Sequence, residues 1–146
     1  MKSLLFLFTA LVLSRLLPLP PNSEPLLGLA VVAPHIAKSL WVWFAPLLVM
    51  LASDIIIGFH GHMMFTYTAL AIAPFISRYI NNMYIALGCS WLVWHVLANF
   101  GQTYPPFSVE ALVFDTRLFV SGLLVIITLD ILRKVMYNGK SYGKTG

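Results

Sequence analysis

Leu47-Leu-Val-Met-Leu-Ala-Ser-Asp-Ile-Ile-Ile57 decides the class of this chain. A barrel strand alternates apolar and polar residues over about 10 positions. This run does not alternate, and its only polar residues are Ser53 and its single charge, Asp54. Extended back to Leu40, the segment Leu40–Ile57 has the length of roughly 17–25 residues with which a helix crosses about 30 Å of hydrocarbon. Pro46 lacks a backbone donor, so a kink is expected there.

The same pattern repeats on either side. Downstream, the tight connection Gly58-Phe-His-Gly-His62 leads into the apolar segment Met63–Tyr79, with Pro74 positioned to bend it. Asn81-Asn82 then punctuates the chain, and Met83–Phe100 reads as the next span. Gly101-Gln-Thr-Tyr-Pro-Pro-Phe-Ser108 is a loop, followed by a short amphipathic stretch to Thr116. Arg117–Tyr137 reads as the last span, with a flexible Gly/Lys/Ser tail over 139–146. Upstream, Leu26–Ala37 is apolar but short, and Pro34 lies inside it. Leu4–Leu17 is the first segment, closed by Leu17-Pro-Leu-Pro-Pro-Asn-Ser-Glu-Pro25, whose four prolines withhold helical donors. Its continuation into Ser14-Arg15-Leu16-Leu17-Pro18 lacks the small-residue cleavage site of a secretion signal, so it reads as a retained helix.

Composition agrees with the segments. Of 146 residues 60% are hydrophobic and 10% charged, with mean hydropathy +0.87, against about 25% charged in average soluble proteins. The expected fold is an all-α integral membrane protein, a six-helix transmembrane bundle whose second helix is short, forming one domain over residues 1–138. Its expected setting is the lipid bilayer of the inner (plasma) membrane. Lysine and arginine orient it. With the N-terminus in the cytoplasm, Lys2, Lys38, Arg78, Arg133, Lys134, Lys140 and Lys144 fall inside and only Arg15 and Arg117 outside, seven against two. Both termini are therefore expected to be cytoplasmic. The net charge of +4 is too dispersed for nucleic-acid binding, and the lone Cys89 excludes an intrachain disulfide.

Polar groups inside hydrocarbon cost about 2.5–3.5 kcal/mol for a central charge, so each needs a reason. Asp54 has two: a ligand or cation contact in an outward-facing pocket, or pairing with a neighbouring helix through Arg15 or His60. His60 and His62, with Asp54 and His95, are ligand types for Zn²⁺, Ni²⁺ or Co²⁺, but no further His or Cys completes a set. His35, beside Pro34 and Lys38, reads as an interfacial residue. Trp91, Trp94, His95, Ala98, Asn99 and Gln102 recur at helical spacing and share one face. That face suits a flat, hydrogen-bonding organic ligand; the same residues would also serve as an interfacial tryptophan belt with interhelical amide bonds. Tyr104-Pro105-Pro106 shares the outer side with residues 18–25 and is positioned to cover the same mouth. Ala10/Ser14, Ala33/Ala37 and Ala69/Ala73 are small pairs that permit close helix contact. The chain contains no Gly-rich phosphate loop, no Gly-x-Ser-x-Gly elbow and no His-Glu-x-x-His, so no enzymatic activity is expected.

Several blocks occur in a familiar order: Ser14-Arg-Leu-Leu-Pro-Leu-Pro-Pro-Asn22, Ser53-Asp-Ile-Ile-Ile-Gly-Phe-His60, Met64-Phe-Thr-Tyr67, and Asn99-Phe100 with Tyr104-Pro105. With them the chain resembles a family of small bacterial membrane proteins described as S components of energy-coupling-factor transporters. The resemblance implies six membrane helices that capture a vitamin or metal at the outer face. It also implies delivery inward beside a T component driven by ATPases. Many S components meet the T component through Ala-x-x-x-Ala; here Ala10-x-x-x-Ser14 stands in the first helix. Matching carries over Arg15, Pro21, Asn22, Asp54, His60, Tyr67, Asn99 and Tyr104 as motif positions, with no role assigned.

The expected function is a substrate-binding subunit for uptake of a small organic nutrient such as a vitamin. Its expected site comprises Asn22, Asp54, His60, Trp91, Trp94, His95, Asn99 and Tyr104, with no cofactor. The alternatives are a structural or assembly subunit of a membrane complex and a divalent-metal permease using Asp54, His60 and His62.

Overall fold

The computed structural model describes residues 15–16, 23–59, 61–100 and 108–142, with side chains described as far as residue 135. Among these residues the protein is all-helical, with six complete helices and no strand: α1 (Leu26–Ile36), α2 (Leu40–Trp43), α3 (Ala45–Ile57), α4 (Met63–Tyr79), α5 (Met83–Asn99) and α6 (Val109–Tyr142). Arg15 and Leu16 are helical too, and the rest of the expected Leu4–Leu17 segment lies outside the described residues.

Local chemistry sets most boundaries. The Asn82 side chain accepts hydrogen bonds from the backbone N–H of Tyr84 and Ile85, capping α5. Gly58 ends α3 at φ 110°, a left-handed conformation that L side chains rarely adopt, while its N–H closes the last turn on Asp54 O. Pro34 and Pro74 are both accommodated within α1 and α4.

Two expected boundaries differ. Leu40–Ile57 is not one kinked helix. The break falls at Phe44, and Pro46 sits in the first turn of α3, where a missing donor costs least. The amphipathic stretch before Thr116 and the expected last span form one continuous helix, α6, of 34 residues. It runs on through residues 139–142, expected to be tail. Nothing between Val109 and Tyr137 breaks a helix strongly enough to stop it, because Gly122 is buried in a helix contact.

Side-chain contacts give the directions. The C-terminal part of α1 meets the C-terminal part of α4 through His35 Nε2 and Ser77 Oγ, 3.0 Å apart. Ser77 in turn donates to Val31 O of α1. Ser121 Oγ of α6 donates to Glu24 O just before α1, and Arg133 donates to His35 O near its end, so α1 and α6 run parallel. The bond from Trp91 Nε1 to Asp115 O and that from Tyr84 Oη to Asp130 make α5 antiparallel to α6. The Phe65–Phe100 ring contact makes α5 antiparallel to α4 as well.

The core lies around α1, whose Leu27 and Val31 are fully buried against Leu70, Ala73, Leu87, Leu118 and Ile126 of α4, α5 and α6. The expected small pair Ala69/Ala73 is buried in it. The closest backbone approach is between Gly28 and Gly122: a Cβ on Gly28 would fall 2.6 Å from Gly122 Cα. Outside this core the helices carry apolar residues on their open faces, among them Ile55–Ile57 of α3, Leu92 and Val96 of α5, and Leu124 and Ile131 of α6. Among the described residues one helical stretch, Val109–Val135, is long and apolar enough to cross a membrane, with mean hydropathy 2.0.

Candidate functional site

Charge is sorted along the bundle. Lys38, Arg78, Arg133 and Lys134 gather where α1 and α4 finish. Glu24, Asp54, Glu110 and Asp115 are at the other end, where α3 and α5 finish and α4 and α6 begin. Two buried polar clusters are built there.

The first surrounds Asp54, 3% exposed on the last turn and a half of α3. Arg15 Nη1 lies 3.1 Å from Asp54 Oδ1, 2.8 Å from Ser53 Oγ and 3.3 Å from Met50 O. Tyr67 of α4 donates its hydroxyl to Asp54 Oδ2 at 2.9 Å. Glu24 Oε1 approaches Arg15 Nε at 3.5 Å, an ion pair in which Nε itself gains no hydrogen bond. A buried carboxylate is tolerable when a cation and hydrogen-bond donors hold it, and Asp54 has both. Asp54 thus pairs with a neighbouring helix through Arg15. Three positions taken from the resemblance, Arg15, Asp54 and Tyr67, meet at this carboxylate.

The second cluster joins α5 to α6. His95 Nδ1 and Asn99 Nδ2 each lie 2.7 Å from Asp115 Oδ2. Asn99 Nδ2 also donates to His95 O at 2.8 Å. An ionised carboxylate only accepts, so the short contact makes His95 Nδ1 the donor. Trp91 donates its indole N–H to Asp115 O at 2.7 Å, and its ring stacks on His95 with centroids 5.7 Å apart. Phe119 of α6 meets the Trp91 ring edge-on at 5.8 Å. On the same helix, Ser90 Oγ and Trp94 Nε1 are buried and have no hydrogen-bond partner among the described residues. They are one helical turn apart and so share a face.

The structure therefore gathers Trp91, His95 and Asn99 around one residue, Asp115, with Trp94 on the same helix, and keeps Asp54 in the other cluster. Asn22, His60 and Tyr104, together with Pro21 and Gln102, lie outside the described residues. His62 begins α4, without a side-chain capping bond. Among the described residues no group of three His, Cys, Asp or Glu side chains is arranged to hold a metal ion.

Asp115 is the residue that sequence reading missed. It falls in the short stretch before Thr116 expected to be amphipathic, and it is 2% exposed. The signal was present in the spacing of Ala111, Asp115, Leu118, Gly122 and Ile126, all buried on one face of α6. Dividing the helix at Thr116 hid that phase.

No curated protein and no solved structure matches this chain. Its residues 1–132 do match a described protein family, and on that coverage the chain belongs to the family of unknown function DUF6580.

Proposed function

We propose that this is a multi-pass membrane protein that binds a small organic nutrient, such as a vitamin, for uptake across the inner membrane, in the manner of an S component. The multi-pass reading draws support from the apolar residues on the open faces of α3, α5 and α6 and from the gathering of Lys38, Arg78, Arg133 and Lys134 at one end, against Arg15 and Arg117 at the other. The helices of 17 residues, α4 and α5, are at the lower limit of a span. Segments α2 and α3 together supply another, through the bend at Phe44.

Two observations carry the binding reading: the buried His95–Asp115–Asn99 group, and two buried polar atoms of the same helix, Ser90 Oγ and Trp94 Nε1, that have no hydrogen-bond partner among the described residues. A buried donor without a partner costs about 1–3 kcal/mol. An acceptor on a ligand would offset that cost, and a flat ligand would gain stacking against tryptophan. Native mass spectrometry of the detergent-purified protein, before and after incubation with a vitamin mixture, tests this. A retained organic species is expected, and it should be lost in a folded Trp94→Ala/Asn99→Ala variant. Unchanged retention in that variant removes the site.

A structural or assembly subunit is the second reading. It is favoured by the way His95, Asn99 and Asp115 engage one another and by the close Gly28–Gly122 contact. A consistently ligand-free spectrum shifts the weight to it.

A further inference from the structure

The opposite end of the bundle carries cations that nothing in the uptake reading uses. His35, in the last turn of α1, links them. Its ring nitrogen Nε2 contacts Ser77 Oγ at 3.0 Å, and Arg78 is the next residue of α4. Its carbonyl accepts from Arg133 of α6 at 3.4 Å. The positive fields of Arg133 and Arg78 both reach the His35 ring. Lys38 follows three residues later, and Lys134 adjoins Arg133. Among the described residues none of these four cations makes an ion pair. The acid at this end, Asp130, instead accepts from the Tyr84 hydroxyl at 2.7 Å. Three chain segments thus bring exposed positive charge together without neutralising it, and such self-repulsion is costly unless an anion answers it.

The surroundings say which anion. Trp41 and Tyr79 flank the cations and are 81% and 87% exposed. Trp41 lies in α2, a single turn without a buried residue that follows Lys38 directly. Indole and phenol rings left open beside basic residues match the headgroup level of a bilayer, where an apolar ring with a polar tip is satisfied on both sides. Ile36, Ile131 and Val135 are exposed next to them and offer an apolar surface to acyl chains. A soluble phosphate would use the guanidinium groups but neither the aromatic rings nor the aliphatic face.

We propose that Arg78, Arg133 and Lys38 bind the phosphate of an anionic phospholipid where the C-terminal ends of α1 and α4 meet α6. Guanidinium groups suit this task because their fixed fork matches phosphate oxygens. The proposal rests on the multi-pass reading but not on nutrient binding.

The test is native mass spectrometry of the full chain released from nanodiscs containing equal phosphatidylglycerol and phosphatidylcholine. Wild-type protein should retain phosphatidylglycerol preferentially. R78Q/R133Q should lower that retention about thirtyfold, the loss of two charges at about 1 kcal/mol each near an anionic surface. R117Q, at the other end and stacked on Phe114, should leave it unchanged. Both altered arginines are exposed, and unchanged helicity by circular dichroism verifies that the variant is folded. Equal retention of the two lipids by wild type, equal retention by wild type and R78Q/R133Q, or full displacement of the lipid by inorganic phosphate overturns the proposal. Release from membranes by carbonate alone, without detergent, would overturn the multi-pass reading itself. That outcome is scored separately from lipid preference.

Discussion

Asp54 and Asp115 are two carboxylates at the same end of one bundle, 3% and 2% exposed, yet they are held by different chemistry. Asp54 faces the guanidinium of Arg15 and the Tyr67 hydroxyl. Arginine does not give up its proton in proteins, so that charge is permanently answered. Asp115 faces His95 and Asn99, an imidazole that is able to change protonation and an amide that is always neutral. The difference teaches which cluster belongs to the frame and which has latitude. A ligand competing for Asp54 must displace a fixed cation inside an apolar interior. One competing for Asp115 must replace its contacts with His95 and Asn99.

The comparison is most exposed to Arg15→Met. Removing one partner of a buried ion pair leaves the other uncompensated, at a cost of about 3–5 kcal/mol. Thermal unfolding in detergent should show a large loss of stability, mostly regained in Arg15→Met/Asp54→Leu. If the single variant melts like wild type, the Asp54 cluster is not part of the frame.

Next in size is Gly28→Ala, which tests the packing that fixes α1 against α6. Its Cβ meets the Gly122 backbone at 2.6 Å, so one helix must shift, at about 1–3 kcal/mol. Gly122→Ala should cost less, because its nearest obstacle is Leu87 Cδ1, the movable end of a side chain. Equal melting temperatures for the two variants would contradict that packing.

His95→Leu should destabilise by about 1–3 kcal/mol, the range for leaving a buried acceptor short of a partner. The loss should be clearly smaller than that of Arg15→Met, since no fixed cation is removed and Asn99 still donates to Asp115. A loss as large as that of Arg15→Met would erase the distinction between the clusters.

The smallest stability effect belongs to Asp115→Asn, which keeps an acceptor oxygen for His95 and Asn99 and should change stability by no more than about 1 kcal/mol. Retention of the organic ligand should nevertheless fall. Loss of stability without loss of retention would reverse the assignment and make Asp115 part of the frame.

Much of the candidate site was legible before any contact was known. The spacing of Trp91, Trp94, His95, Ala98 and Asn99 fixed a shared helix face, and Trp94, His95, Ala98 and Asn99 are buried. Arg15 was one of two partners weighed for Asp54, and it is the partner found. Asp115 was not legible. A sequence window ending at Thr116 sees Val109–Thr116 only as a short amphipathic stretch; the continuous helix turns Asp115 inward.

By itself the sequence determined helical structure, because apolar runs without alternation satisfy their backbone only as helices. It also determined several of the boundaries, through Gly58, Asn82, Pro25 and Pro46, because these residues act on their own backbone. Tertiary structure decided what adjacency alone cannot carry. It chose Arg15 for Asp54 across 39 residues and joined His95 to Asp115 across 20. It seated Gly28 on Gly122, and it brought Arg78 and Arg133 to one histidine. Each of these depends on which helix faces align in space, and that is set by packing the whole core at once.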